Sequence, residues 1–342
     1  MSPVLAFDIE TIPDIAGLRL LRGADAALSD AEVHAAEIAD RAARNKSDFL
    51  PPHLQRVLVV SCVFRASQGL VVRSFVDLER GGRSEEGDVI QAFFDRVEKY
   101  RPQLVSWNGG GCDLPVLQQR GLRHGVVAGR YWDMGQDDDS DREHRYNNYI
   151  SRYHTRHVDL MDLLALYQSK ANAPLDAMAK LCGFPGKLGM DGSQVYSAYL
   201  DGRRDEIRRY CETDVMNTYL LWLRFEKMRA RLDEASYLRE VALARATVAA
   251  SDEPHWAEYL AAWPEEAEPM RPLRARERAA VENAAADDSA PPDDAPPLDE
   301  AAAADAADAS AGPAEPATIA VVETTTTTTE TTVHIDSPSI RA

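Results

Sequence analysis

Cysteine is scarce in this chain. There are four in 342 residues, Cys62, Cys112, Cys182 and Cys211, and no two stand as C-x-x-C. That excludes a zinc ribbon or a thioredoxin-like pair and points to free thiols in a reducing compartment. Long apolar runs are missing too, since none approaches the roughly 20 residues that cross a bilayer. The opening "MSPVLAFDIE" has no basic stretch before its apolar residues and carries acids early, unlike a secretory leader. A cytoplasmic protein with no membrane contact is expected. Positive charge is also short, with 38 Lys and Arg against 56 Asp and Glu and a net charge of −18. Taken whole, that balance argues against a nucleic-acid partner. It is unevenly spread, however. Residues 265–342 hold 17 acidic and 5 basic residues, so the first 264 are only mildly acidic.

The chain divides by composition. Residues 265–342 are rich in Ala, Asp, Pro and Thr, with six consecutive threonines at 324–329. Such a segment buries too little apolar surface to offset its ordering entropy, so a disordered acidic tail is expected there. It reads as a solubilising extension, or as a competitor of nucleic acid for basic surface. Residues 1–264 alternate β-rich and helical patterns with no internal repeat. A short buried strand at 3–9 precedes an Ala-rich amphipathic helix, with Ser29 and Glu32 spaced as a capping box. "RVLVVSCVFRA" and "GLVVRSFVDL" read as a hairpin. Val89, Ile90, Phe93, Phe94 and Val97 have helical spacing, "QLVSWN" is a further strand, and "DLPVLQQRGLRHG" a helix ended by glycine. A long helix follows in "RRDEIRRYCETDVMNTYLLWLRFEKMRARL". This order suits a mixed sheet with helices on both faces.

The chemistry starts in "LAFDIETIPD", residues 5–14. Side chains alternate along a strand, so Asp8 and Glu10 point the same way. Two such carboxylates repel each other and resist burial unless a hard divalent cation joins them; alternatively they are a solvated strand end. Asp113 follows the glycine turn of "SWNGGGCDLPVL", as an N-cap or as a carboxylate at the crevice beyond a strand's C-terminal end, with Asn108 beside it. Tyr210 and Asp214 are spaced i, i+4 on one helix face. They are either part of the same site or a half-buried Tyr and an exposed Asp.

D-x-E, N-x-x-x-x-D and Y-x-x-x-D in this order resemble the DEDDy 3′–5′ exonucleases. "FDIETIP", "SWNGGGCDLPVL", "HVDLMDLL", "GFPGKLGMDGSQV" and "YCETDVMNTYLLWLRF" are similar to the predicted exonuclease family related to the proofreading domain of family B DNA polymerases, over about residues 3–263. The resemblance implies a ribonuclease H-like fold, a mixed five-stranded sheet flanked by helices, in residues 1–264. It implies two divalent ions, Mg²⁺ or Mn²⁺, held by Asp8, Glu10, Asp113 and Asp214, with Tyr210 orienting the attacking water. It implies hydrolysis from the 3′ end of a single strand, DNA rather than RNA, with Thr11, Ile12 and Asn108 toward the substrate. An exoribonuclease of the same superfamily and a catalytically silent nucleic-acid-binding module are the alternatives. A DNA polymerase or repair partner would be a separate chain that the sequence does not name.

Weaker signals remain. "REHRYNNYISRYHTRH" interleaves Tyr149 and Tyr153 with Arg152 and other basic residues, either as a stacking platform for the 3′ end or as a loop packed on the body. Lys187 in "PGKLGMDG" is a phosphate contact or a solvated lysine, and the spacing is not that of a Walker A loop. Tyr210 already fills the place of a base, so His154 and His157 are not expected in that role. Asp159 is read as a charge at a helix N-terminus, and Cys112 and Cys211 as packing.

Overall fold

The structure, a computed structural model, describes residues 3–136 and 142–264. The tail at 265–342, and most of the acidic run between Asp137 and Glu143, lie outside the described residues.

In chain order the elements are β1 (Val4–Pro13), α1 (Ile15–Arg22), α2 (Asp30–Ala43), β2 (Gln55–Ala66), β3 (Gly69–Val76), α3 (Glu86–Tyr100), β4 (Gln103–Ser106), α4 (Asp113–His124), α5 (Gly129–Trp132), β5 (His157–Asp159), α6 (Leu160–Leu164), α7 (Leu175–Leu181), α8 (Val195–Leu200), α9 (Arg204–Met228), α10 (Glu234–Ala249) and α11 (Pro254–Ala262), with short 3₁₀ turns between some of them. The sheet order is β3-β2-β1-β4-β5. β1–β2 and β2–β3 are antiparallel, while β1–β4 and β4–β5 are parallel. This is the expected mixed five-stranded sheet of the ribonuclease H-like fold.

The alternation of β1 decides the layers. Leu5, Phe7 and Ile9 face α3 and α4, where Phe7 meets Phe93 with ring centroids 5.1 Å apart. Val4 and Ala6 face the other way, into a core with Val215, Met216 and Tyr219 of α9. The helical spacing read in residues 86–100 buries Val89, Ile90, Phe93, Phe94 and Val97, as the pattern demands. α9 is buried on every side from Tyr210 to Leu223, because α7, α8 and α10 pack around it against the sheet. That overturns the alternative of an exposed Asp214.

An excursion between β1 and β2 carries α1 and α2 over a small core of Leu18, Val33, Leu50 and Leu54. The Ser29–Glu32 capping box forms. α1 has no counterpart in the pattern reading. It is eight residues long, and tertiary contacts rather than periodicity sustain it: Asp14 caps its start by accepting from the Gly17 amide at 2.9 Å, and Gly23 ends it in the left-handed region. Beyond α9 the chain forms α10 and α11, divided at Ser251–Glu253, with Pro254 opening the second helix.

β4 pairs with β1 only at Val4, Leu5 and Ala6. Beyond Ser106 the β4 chain turns away from the sheet, and the C-terminal half of β1 borders a crevice there. Sites of open α/β sheets form at such crevices.

Candidate active site

Asp8 and Glu10 continue the Val4–Ala6 face of β1 past the point where β4 departs. They meet α9 where its core-facing surface changes from Val215 and Met216 to Tyr210, Cys211 and Asp214. Register with β2 slips between Glu10 and Thr11, whose partners are Val59 and Val57. The extra residue is Leu58 of β2, so Ile12 keeps to the carboxylate face, packed with Ile207, Tyr210 and Cys211 of α9, while Thr11 turns toward Gln55.

The third carboxylate depends on close backbone packing. Asn108 adopts φ 66°, and its carbonyl accepts from the Gly111 and Cys112 amides. A Cβ at Gly109 would lie 2.3 Å from Ser106 Oγ, so no side chain fits there. Asp159, at the end of β5, accepts from the Asn108 amide at 3.0 Å and the Gly110 amide at 2.8 Å while also capping α6. It is thus the N-cap read from the sequence and also a clamp on the turn that delivers Asp113. Only the parallel β4–β5 pairing reveals the second role. Asp113 opens α4 at its N-terminus and is 6 % exposed.

Asp113, Asp214 and Glu10 are buried and Asp8 is half-buried. Burial, then the charges of Asp113 and Asp214, drives the Asp8 carboxyl well above its ordinary range. Burial, then Asp8 and Asp214, does the same to Glu10. Asp113 is pushed up to about 7, chiefly by burial and further by Asp159. Burial raises Asp214 as well, although Lys187 opposes it. Its Oδ1 is buried with no hydrogen-bond partner. Four carboxylates all raised by burial, with an orphaned buried oxygen among them, form a donor set that suits a hard divalent cation. The ligand atoms of Asp8, Glu10 and Cys211 all lie within 4.8 Å of one another.

Lys187 lies where the sequence reading did not place it. Its ammonium is 3.0 Å from Asp214 Oδ2 and donates to the Tyr210 hydroxyl, with Nζ 4.9 Å from the ring centroid. It meets the site's own acid and phenol. No motif spacing marks this role, since Lys187 reaches α9 from a glycine-rich loop. Burial, then Asp214, raises the Tyr210 hydroxyl pKa, so the phenol stays protonated at neutral pH.

On the substrate side, Thr11 and Ile12 line a cavity of about 620 Å³ beside Glu10, with His34, Ile38, Phe49 and Tyr196 among its walls. Thr11 Oγ1 donates to Gln55 Oε1 at 2.8 Å. Neither sequence pattern nor motif pointed to the α2 and Phe49 wall, because the excursion between β1 and β2 brings it there.

The tyrosine loop divides. Tyr149 is 2 % exposed, stacks on Tyr131 with centroids 5.8 Å apart, and donates its hydroxyl to the Pro102 carbonyl at 2.7 Å. The expectation that it stacks on a base is corrected: its ring is core, since the alternation of tyrosine and arginine in a loop does not say which side faces in. Arg152 is paired with Asp162 at 2.7 Å, and Tyr153 is 74 % exposed against Tyr167. His157 is buried in β5 against Ser106 Oγ at 2.8 Å, and His154 accepts from the Asn148 amide. Neither histidine is placed as a base.

Residues 47–263 match the model of a family described as a predicted 3′–5′ exonuclease related to the exonuclease domain of PolB. The match spans more than half of the chain and takes in Asn108, Asp113, Lys187, Tyr210 and Asp214; Asp8 and Glu10 precede it. No curated protein matches the chain. Among the described residues, no helix is long and apolar enough to cross a membrane.

Proposed function

Because the chain belongs to the predicted 3′–5′ exonucleases related to the exonuclease domain of PolB, we propose that it is a metal-dependent exonuclease of the DEDDy type, removing nucleoside 5′-monophosphates from the 3′ end of single-stranded DNA. The observation that carries the reading is the meeting of Asp8, Glu10, Asp113 and Asp214 in one crevice, where burial raises all four and Asp8 and Glu10 are raised further by the charge of their neighbours. Mg²⁺ or Mn²⁺, as a pair, would spread the charge of the phosphoryl group and make a water acidic enough to attack near neutral pH. Asp8, Glu10, Asp113 and Asp214 are the residues that would hold these ions.

The remaining roles fall to the chain's own groups. A protonated Tyr210, fixed by Lys187, orients a water through its hydroxyl without taking its proton. Lys187 adds positive charge beside Asp214, where phosphoryl charge would accumulate. The cavity lined by Thr11, Ile12, Phe49 and Tyr196 is wide enough for the terminal nucleoside, and its aromatic wall suits the face of a base.

The test is digestion of a 5′-labelled single-stranded DNA and a matched RNA with Mg²⁺, Mn²⁺ or EDTA, using wild type and Asp8→Ala. A metal-dependent ladder shortening from the 3′ end of DNA, absent in Asp8→Ala, is expected. Faster digestion of the RNA would replace the substrate with the exoribonuclease alternative. Binding without cleavage in either metal would leave a silent nucleic-acid-binding module.

A further inference from the structure

A group of arginines at the other end of the sheet has no part in hydrolysis. β1, β4 and β5 are parallel, so their N-terminal ends gather on the side away from the carboxylates. Val4 precedes Asp8 by four residues of β1, about 13 Å along a strand. There a cavity of about 500 Å³ is bordered by Arg101, Arg156, Arg229 and Arg231, with Trp222 and the carboxylates of Glu143 and Glu226. The arginines come from three separate segments. Arg101 joins α3 to β4, Arg156 precedes β5, and Arg229 and Arg231 follow α9.

The glutamates are engaged within the wall. Glu143 lies 3.3 Å from Arg156 Nη2, and Glu226 lies 2.8 Å from Arg229 Nη2. Among the described residues the Arg231 guanidinium makes neither a hydrogen bond nor an ion pair. Nor are the arginines past α9 consumed as helix caps. The carbonyls of Phe225, Glu226 and Lys227 accept from the backbone amides of Arg229, Arg231 and Ala230. An independent observation is Trp222. It is 2 % exposed, it borders the cavity, and its buried Nε1 has no hydrogen-bond partner. An indole N–H only donates, so what this wall lacks is an acceptor, and a buried donor without one is costly.

We propose that this cavity is a binding site for a phosphate group, carried by a nucleotide or as free phosphate. Its oxygens would accept from the Trp222 N–H and from Arg231, within the field of the other three arginines. A planar guanidinium matches phosphate oxygens in a two-pronged bond, and the group is easily desolvated. The cavity falls in the size range of small-molecule sites, about 300–1,000 Å³, so it has room for a nucleoside behind the phosphate. Binding makes and breaks no covalent bond.

The site shares no residue with the carboxylate crevice, so it stands or falls apart from the exonuclease reading. The test is calorimetric titration of the full chain in EDTA with inorganic phosphate and, separately, with deoxyadenosine 5′-monophosphate. Ionic strength is held constant with chloride, at about pH 8, where a phosphomonoester is a dianion. Without metal, the acidic crevice repels either ligand. Wild type should bind one anion per chain. Arg231→Gln should weaken binding on the order of tenfold. Arg73→Gln, which removes the same charge from an exposed position on β3, should leave it unchanged. Trp222→Phe keeps an aromatic ring, loses the N–H, and should weaken binding roughly fivefold. Arg231 is exposed and lies outside the helices and strands, so its variant keeps the test open if the Trp222 variant does not fold. Tighter binding of the mononucleotide would identify a nucleotide as the occupant, and equal affinity would identify free phosphate. No saturable binding of either ligand, or equal losses in Arg231→Gln and Arg73→Gln, would overturn the site and leave the arginines as surface charge. A chain that binds phosphate here but cleaves neither polymer with Mg²⁺ or Mn²⁺ would sink the exonuclease reading alone.

Discussion

Two clusters of buried acids lie at the C-terminal end of the same strand, and the protein treats them oppositely. At Asp14, just past β1, two carboxylates surround a guanidinium that is 1 % exposed. Arg120 grips Glu86 through Nε at 2.7 Å and Nη2 at 2.5 Å, and reaches Asp14 through Nη1 at 2.6 Å. Burial pushes the Asp14 carboxyl up, but the Gly17 amide and Arg120 outweigh it and hold it below its ordinary range. A few residues upstream, Asp8 and Glu10 face Asp113 and Asp214, and all four are raised. Lys187 lowers Asp8 and Glu10 without cancelling their neighbours. The first cluster is neutralised from within the chain and braces the excursion against α3 and α4. The second is short of positive charge, which costs stability and gives a divalent cation something to bind.

The sharpest test of that contrast is to remove one charged member from each cluster. Asp8→Ala should lower hydrolysis roughly thousandfold or more while the fold persists, measured as the single-turnover rate against a melting curve. Arg120→Met should do the reverse to stability. It removes the guanidinium that Asp14 and Glu86 share, leaving only Arg123 beside Asp14 and His124 beside Glu86, and should cost about 3–5 kcal/mol in denaturant unfolding, because breaking a buried pair on one side leaves charge undercompensated. Mn²⁺ at a hundred times its dissociation constant should raise stability by about 2.7 kcal/mol in wild type, and much less in Asp214→Asn; equal shifts in both would place the ion elsewhere.

The pH dependence of Asp14 has a definite sign. Its folded pKa lies below the ordinary 3.8, so its contribution is complete above that value and disappears as pH falls through the folded one. Asp14→Asn should therefore be less stable than wild type by about 1.5–3 kcal/mol at pH 7, with the gap closing in acid; a gap independent of pH would mean that charge is not what Asp14 contributes. The smallest effect concerns the loop. Tyr153→Ala should raise KM for single-stranded substrate by no more than about tenfold with kcat unchanged. Tyr149→Ala should instead lower the melting temperature, since its ring is core.

The candidate site was legible in the sequence where periodicity and chemistry coincide. Asp8 and Glu10 at i, i+2, and Tyr210 and Asp214 at i, i+4, each share a face by backbone geometry alone. Asp113 was legible because a glycine triplet between a strand and a helix leaves few other conformations. The same reasoning placed the hairpin, the capping box and the apolar stripe of α3. It failed for Tyr149, because a loop has no period from which to read an inward side. It missed α1, a helix too short to show a pattern, and the pairing of Lys187 with Tyr210, which joins a loop to a helix with no fixed spacing between them.

What the sequence determined by itself was local: which residues share a face, where strands end, and that acids recur at two such ends and on one helix face. Tertiary structure decided what those acids meet. The departure of β4 after Ala6 opens the crevice, Asp159 draws the Asn108–Gly110 turn into place from a neighbouring strand, and α9 is enclosed so that Asp214 is buried rather than solvated. The physical reason is range. Backbone periodicity acts within a few residues, whereas the electrostatic cost of bringing like charges together exists only once separate segments of chain share one buried volume.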